Sequence, residues 1–167
     1  TDGAGDDYGT YLGSVVKEGN TYKMWYRGYD SVNVRVFHAT SPDGLTWTKY
    51  DNTIPSASDS VSTNGRLALG SSGKGDDTHA QIPVIYKDGA IYKMYYAGYN
   101  LSSSSYSTYL ATSPDGLTWS KYNNVIPSIS DTASTDGRIP KGSTAGRGDL
   151  TGVIPSGIVL DSNLFKM

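Results

Sequence analysis

The residues in this sequence best suited to chemistry are aspartates that follow a glycine at regular intervals. Gly-Asp pairs place Asp6, Asp76 and Asp149 about 70 residues apart along the chain. An aspartate can act as a general base or nucleophile when it is ionised, and as a general acid when it is protonated. These carboxylates are therefore the candidate catalytic residues. They also have a structural interpretation, in which each accepts hydrogen bonds from backbone amides where a repeat begins.

A second group of polar residues lies close to the aspartates or recurs with them. His79 stands where the other copies have Gly9 and Gly152, so it departs from the repeat and could bond a ligand or tune a neighbouring carboxylate. The candidate ligand-binding residues are His79, Asp77, Arg66 and Arg138. Because the arginines recur, they can also brace neighbouring repeats through contacts with carboxylates or carbonyls.

Composition excludes several classes of partner. The 167 residues carry 14 Lys+Arg against 16 Asp+Glu, and a net charge of -2 offers no basic surface for nucleic acid. No apolar run approaches the roughly 20 residues of a membrane-spanning helix, so insertion into a membrane is not expected. With 2 His and 0 Cys, a zinc site of the usual kind is excluded, and no cofactor is expected.

A long internal repeat determines the predicted architecture. YKMWYRGY at residues 22–29 returns as YKMYYAGY at 92–99, and ATSPDGLTW occurs unchanged at 39–47 and 111–119. A fixed period of about 70 residues is typical of stacked structural units. The repeats cover residues 1–58, 59–130 and 131–167 approximately, the last being cut short, and together they form a single domain.

Each repeat contains short segments with strand character. In the second repeat these are 82–86, 91–98, 107–112 and 117–122, separated by turns that contain Gly and Asp. Four antiparallel strands form the blade of a β-propeller. The sequence therefore predicts an all-β chain of two blades and part of a third, with no helix longer than a turn or two.

The aromatic residues of the repeat are predicted to pack between blades. Alternation along the second strand places Tyr22, Met24 and Tyr26 on one face and Trp25 on the other. Both faces of a blade are covered when it lies between neighbours. The polar segments 56–78 and 128–150 are predicted to carry the chain from the outer edge of one blade to the inner strand of the next.

The combined motif resembles the blades of five-bladed β-propeller glycosidases. The resemblance joins the Gly-Asp pair, IPVIYKDG at 82–89, YKMYYAGY and ATSPDGLTW, and it covers nearly the whole chain. This superfamily includes arabinanases, xylosidases, invertases and related mannoside phosphorylases. It implies a ring of five blades, with acidic residues at the start of the innermost strands around a central pocket that binds a sugar. Asp6, Asp76 and Asp149 occupy the matching positions.

Hydrolysis of a glycoside requires one ionised carboxylate and a second that is held protonated as the general acid. The acid of the family is usually a glutamate, and this chain has a single one, Glu18, which aligns with Asp88 in an exposed turn. No inner-strand glutamate is therefore present. If the propeller is a glycoside hydrolase, we expect the general acid to come from another blade.

Two functions of different classes follow from these observations. The first is a carbohydrate-binding or carbohydrate-active propeller with the sugar in its axial pocket. The second is a non-enzymatic structural or interaction propeller on a cell surface, secreted assembly or virus particle, since its repeats are very alike. Both imply an extracellular or surface-associated protein.

The blades visible in the sequence cannot close a ring by themselves. The remaining blades are expected from a longer polypeptide of roughly 350 residues or from other copies of the chain. The break inside the third repeat, at residues 164–167, is expected to be a truncation. Because uncovered blade faces expose apolar side chains, we expect that this chain alone is not a compact, stable monomer.

Overall fold

The computed structural model describes residues 4–130, 134–143, 155–157, 159–161 and 164–166. Within these ranges every regular element is a β-strand, and no helix of the length and hydrophobicity needed to cross a membrane occurs there. The strands are β1 (Gly9–Glu18), β2 (Thr21–Tyr29), β3 (Val34–Ser41), β4 (Thr48–Lys49), β5 (Val61–Ser62), β6 (His79–Asp88), β7 (Ile91–Asn100), β8 (Ser105–Ser113), β9 (Trp119–Lys121), β10 (Val159–Asp161) and β11 (Leu164–Lys166).

The first two repeats form two blades of a partial β-propeller, which confirms the predicted fold class. Strands β1 to β4 pair in antiparallel order as the first blade, and β6 to β9 do the same as the second. One parallel bridge between Val34 and His79 joins β3 to β6, so that both blades belong to one curled sheet. Strands β10 and β11 pair only with each other.

The two blades share turn geometry and register. Two-residue turns join the inner strand to the second strand in each blade, because Glu18 pairs with Thr21 and Asp88 with Ile91. A glycine with positive φ occupies each turn, at 55° for Gly19 and 60° for Gly89, a conformation that other residues adopt at a cost. The register also shifts at the same place in both inner strands, between Tyr11 and Ser14 and between Gln81 and Val84.

The predicted SPDG turn is confirmed in both copies. Asp43 accepts hydrogen bonds from the amides of Leu45 and Thr46, each at 2.8 Å, and the Ser41 hydroxyl accepts one from Gly44 at 2.8 Å. The second copy repeats these contacts around Asp115 and Ser113. Local hydrogen bonding of this kind is the usual role of Asp and Ser in turns.

The segment between the blades does more than connect them. Before it reaches β6, it forms β5, which pairs with β9 and adds a strand to the outer edge of the second blade. The Lys121 amide donates to the Ser60 carbonyl at 2.7 Å, and the Lys121 ammonium donates to the Ser58 carbonyl at 2.8 Å. The chain therefore joins the outer edge of the second blade directly after the boundary between the first two repeats, at residues 58–62.

The main core lies between the two blades, as the alternation of the second strand predicted. Trp25 is fully buried, packs edge-on against Trp119 with ring centroids 6.0 Å apart, and donates its indole N–H to the Gly116 carbonyl at 3.0 Å. Tyr26 lies in a separate cluster on the opposite face with Phe37 and Ala39. The side chains that fill the interblade core are Trp25, Val36, Leu67, Tyr92, Met94, Tyr96 and Trp119.

His38 packs in this core against Trp25, with ring centroids 5.0 Å apart, and its Nδ1 lies 3.1 Å from the Met24 carbonyl. Burial lowers the pKa of His38 from 6.5 to about 4. Between these values the unfolded chain binds a proton that the folded chain does not. We therefore expect the free energy of unfolding to fall by about 3 kcal/mol as the pH drops through this window.

Urea unfolding measured between pH 8 and pH 5 checks the upper part of this window, over which about 2 kcal/mol should be lost. The repeat supplies the control, because Leu110 occupies the position of His38 in the second blade. In His38→Leu most of the pH dependence above pH 5 should disappear. An unchanged slope in that variant would show that His38 is not the titrating group.

Candidate functional site

Asp6 and Asp76 lie at equivalent positions and make equivalent contacts. Asp76 is fully buried and accepts hydrogen bonds from the Tyr96 hydroxyl at 2.9 Å and the Asn124 amide at 3.0 Å. The Lys121 ammonium lies 2.7 Å from Oδ2, the carboxylate oxygen that also accepts from Tyr96, and both side chains of this ion pair are completely buried. The partners are side chains of the same blade, not the backbone amides that the structural interpretation expected.

The first blade repeats this network with one exposed member. Asp6 accepts hydrogen bonds from Tyr26 and Asn52, both at 2.8 Å, and pairs with Lys49 at 2.7 Å, whose side chain is 50% exposed. Burial alone would raise the pKa of Asp6, but the bonds from Lys49, Asn52 and Tyr26 outweigh it and lower the pKa. Asp6 is therefore ionised at neutral pH. Its counterpart Asp149 lies outside the described residues.

The buried networks also perturb their donors. Burial lowers the pKa of Lys121, although Asp76 acts in the opposite direction. Burial, with the adjacent carboxylate, raises the pKa of Tyr26 and of Tyr96, so both phenols stay protonated and donate. Such a network holds the inner end of a blade to its outer strand, since its tyrosine lies on the second strand and its lysine on the fourth.

The recurring arginines make the carboxylate and carbonyl contacts of the bracing interpretation. Arg66 donates to the Thr53 carbonyl at 3.0 Å and pairs with Asp51 at 3.1 Å. Arg138 donates to the Val125 carbonyl at 3.1 Å and pairs with Asp136 at 2.9 Å. In both copies the arginine ties the segment after a blade to the end of that blade's outer strand.

Asp77 shapes the connection between β7 and β8. One oxygen accepts hydrogen bonds from the Gly73 amide and the Asn100 side chain, both at 2.9 Å. The other accepts from the Thr78 hydroxyl at 3.1 Å and the Leu101 amide at 3.3 Å. Both carboxylate oxygens are thus occupied by local donors.

His79 lies in a cluster with aromatic and amide side chains at the start of the second inner strand. Its ring stacks on Tyr99 at 5.2 Å, and its Nδ1 lies 3.3 Å from the Tyr106 hydroxyl. Gln81 donates its amide to the same hydroxyl at 3.2 Å. Burial, and next the positive charge of Arg27, lowers the pKa of His79, so the imidazole is neutral at neutral pH. We call His79, Gln81, Tyr99 and Tyr106 the mouth cluster.

Sequence reasoning found His79 but missed the rest of the mouth cluster. The signal that singled out His79 also marks its neighbours, because Tyr106 stands where the first repeat has Val34, and Gln81 where it has Tyr11. Tyr99 recurs as Tyr29 and was assigned to packing between blades. Departures from the repeat at three of four positions mark this end of the second blade as specialised.

The backbone next to the cluster is strained. Ile82, which follows Gln81 at the register shift of β6, has φ of 53°. A positive φ is a genuine outlier for a β-branched residue, and such residues concentrate at functional sites. Because the register shifts here, the side chains of Gln81 and of the residues after Pro83 do not follow the regular alternation of a strand.

A second surface feature is an uncovered face of the first blade. A cavity of about 340 Å³ opens there, and we call its lining the open face: Thr10, Tyr11, Met24, Tyr26, Ala39, Trp47 and Lys49. The corresponding face of the second blade contains Met94, Tyr96, Ala111 and Trp119, all of which are fully buried against the first blade. The open face is thus the copy of a surface that elsewhere in the molecule is covered by a blade.

Comparison with known sequences finds relatives of undescribed role. No model of a known protein family matches the chain. Two uncharacterized proteins from strains CDC 1551 / Oshkosh and H37Rv of Mycobacterium tuberculosis are each 31% identical over 112 residues. That match covers 63% of this chain and 31% of each relative, so the chain spans about a third of the length of the curated relatives it matches.

Comparison with solved structures gives more extensive matches. A family 117 glycoside hydrolase from Zobellia galactanivorans superposes with a TM-score of 0.64 at 14% identity, over 96% of this chain and 47% of its own. A glycosyl hydrolase from Bacteroides ovatus gives 0.55 at 19% identity, over 77% and 34% of the two chains.

A structure from the GH130 family of mannoside phosphorylases, which contains glycoside hydrolases that target β-1,2 mannosidic linkages in Candida mannan, gives a TM-score of 0.54 at 18% identity. It matches 77% of this chain and 33% of its own. At such identities the likeness concerns the fold. The chain therefore has the curled all-β fold of glycoside hydrolase-like proteins, in the form of a partial propeller.

Proposed function

We propose that this chain is part of a five-bladed, carbohydrate-active propeller that binds a sugar at the mouth cluster. The observation that carries the proposal is the convergence of a neutral imidazole, a buried amide and two tyrosine rings in contact, where the second blade departs from its repeat. Tyrosine faces pack on the apolar faces of sugars, while imidazole and amide groups bond hydroxyls. The glycoside hydrolase-like fold supports the same ligand class.

The proposal concerns binding, and hydrolysis places a further demand on the ring. Asp6 and Asp76 are already hydrogen-bonded to side chains of their own blades. Glu18 bridges Lys23 and Lys87 beside the turn that joins β1 to β2. A general acid would therefore come from a blade beyond those described. An extracellular or surface-associated location accompanies this proposal, because polymeric glycans are found there.

A glycan array together with a panel of chromogenic glycosides tests the proposal. We expect binding to a defined glycan that is lost in Tyr99→Ala and strongly reduced in Tyr106→Phe, which removes the hydroxyl bonded by His79 and Gln81. Tyr29→Ala is the matched control, because Tyr29 is the first-blade counterpart of Tyr99 and lies outside the cluster. Equal binding by Tyr99→Ala and Tyr29→Ala would contradict the assignment of the site.

The open face favours a second candidate function, that of an interaction propeller. Its occupant would be another blade of this repeat, because blade one covers the equivalent face of blade two with Trp25, Val36 and Leu67. The charged residues beside the contact also correspond. Glu18 of the first blade pairs with Lys87 of the second. In the repeat, Asp88 is equivalent to Glu18 and Lys17 is equivalent to Lys87, so the two outward faces carry a matching pair of charges. A second copy of the chain carries such a blade.

Sedimentation equilibrium over a range of concentrations tests this candidate. We expect self-association of the unmodified chain and its loss in Met24→Arg, which places a charge on the open face. Leu45→Arg, in a turn where the side chain is 86% exposed, is the control. Association that survives Met24→Arg, or a monomer at all concentrations, would show that a second copy does not occupy this face.

A further inference from the structure

Arg27 differs from the other arginines of the described ranges because its guanidinium pairs with no carboxylate. Arg35, Arg66 and Arg138 each pair with an aspartate, namely Asp30, Asp51 and Asp136. Among the described residues the Arg27 guanidinium makes no hydrogen bond and no ion pair, and its Nε is buried. The guanidinium lies over the Tyr11 ring, whose centroid is 4.5 Å from the guanidinium carbon. A guanidinium held over an aromatic ring keeps its N–H groups free for an anion.

Strand register places Arg27 beside the mouth cluster. Arg27 pairs with Val36 on β3, two residues along from Val34, and Val34 bridges to His79 on β6. The two residues are therefore separated by a single strand, at the point where the two blades meet. The charge of Arg27 reaches the imidazole, since it contributes, after burial, to the lowered pKa of His79.

Gln81 provides a second, independent sign of a missing ligand. Its side chain is 3% exposed, and its Oε1 atom is buried without a hydrogen-bond partner, although its amide nitrogen bonds Tyr106. A buried acceptor that lacks a donor is costly and uncommon in folded proteins. A ligand hydroxyl would satisfy it.

We propose that the sugar bound at the mouth cluster is anionic, with Arg27 bonding its carboxylate or sulfate group, Gln81 accepting a bond from a hydroxyl, and Tyr99 and Tyr106 contacting the ring. This inference rests on the proposed function, because it names the substrate class of the same site. The nearby Asp77 does not pair with Arg27, since both of its oxygens are occupied by local donors.

Isothermal titration with three oligosaccharides of matched length tests the inference: an oligogalacturonide, a sulfated galactan fragment and a neutral galactan fragment. We expect at least one acidic oligosaccharide to bind tighter than the neutral one by about tenfold or more, as a charge-assisted hydrogen bond allows. The comparison between the carboxylated and the sulfated probe identifies the anion. Tight binding should also weaken as salt is added.

Variants separate this inference from the proposed function. Arg27→Gln should reduce binding of the acidic oligosaccharide to the level of the neutral one and leave the neutral one unchanged, while Arg27→Lys should retain part of the preference. Lys17→Gln is the control. The Lys17 ammonium also lies over a tyrosine ring, that of Tyr22 at 5.0 Å, but at the opposite end of the β1–β2 ladder from Arg27. Circular dichroism verifies that each variant is folded.

The outcomes distinguish the two claims. Binding of neutral and acidic oligosaccharides with equal affinity, unaffected by Arg27→Gln, would overturn the anionic ligand while leaving sugar binding intact. The absence of binding by any of the three probes and by the wider glycan array would overturn both.

Discussion

Asp76→Asn is expected to lower the free energy of unfolding by about 3–5 kcal/mol, because it leaves the Lys121 ammonium buried without its counter-charge. Asp76 and Lys121 are both completely buried and lie 2.7 Å apart. The asparagine has nearly the same shape but cannot ionise, and it can no longer accept at both oxygens from Tyr96, Asn124 and Lys121 together. Urea denaturation at pH 7 measures the effect.

Two further variants define the origin of that loss. Asp6→Asn should cost less, because the Lys49 side chain that pairs with Asp6 is half exposed and can be hydrated. Lys121→Met combined with Asp76→Asn should recover part of the stability, since no buried charge then remains. If Asp76→Asn leaves stability unchanged but abolishes turnover of a glycoside, then Asp76 is a catalytic group and its structural role is secondary.

Trp25→Ala is expected to destabilise the protein by about 3–5 kcal/mol, because it removes one of the two tryptophan side chains from the core between the blades. The loss includes the indole bond to the Gly116 carbonyl at 3.0 Å and the contacts with Trp119 and Tyr92. The cavity lies between two blades whose strands are held by ladder hydrogen bonds, so it cannot readily collapse. Thermal or urea unfolding of the purified variant checks this.

The second blade supplies the matched control for this prediction. Tyr95 occupies the Trp25 position but lies on the outward face, where it is half-buried and stacks on Tyr86 at 6.4 Å. Tyr95→Ala should therefore cost only about 1 kcal/mol. Equal losses in the two variants would mean that the interblade core is not the main source of stability.

The mouth cluster could be predicted from the sequence only in part. His79 was identifiable from the sequence because a histidine replaces glycine in one copy of the repeat. Tyr106 lies 27 residues from His79 and 25 from Gln81 along the chain, and Arg27 belongs to the other blade. His79, Gln81 and Tyr106 meet through the pairing of β6 and β8 with β7. Arg27 comes near them through the β3–β6 bridge, a contact that no local preference of the sequence encodes.

The aspartate network shows the same division in another form. The recurrence of Asp6 and Asp76 indicated that every blade needs this residue, and the equivalent contacts in both blades agree with that. The nature of the partners was not predictable, because the tyrosine, lysine and asparagine come from the second strand, the fourth strand and the segment after it. Burial of the carboxylate follows only when all three have folded around it.

The sequence by itself determined the architecture of this protein: strand period, turn chemistry and a repeat of about 70 residues together specify four-stranded blades, and alternation assigns Trp25 and Tyr26 to opposite faces. Strand period and turn chemistry are local properties, set by backbone geometry within a few residues, and the repeat is visible when the chain is compared with itself. Within the part of the chain that the structure describes, tertiary structure alone decided which aspartates are buried, which arginine makes no hydrogen bond or ion pair, and which blade face stays uncovered. Each of these depends on contacts between residues that are distant in the chain, within one blade for the aspartates and between blades for the arginine and the uncovered face.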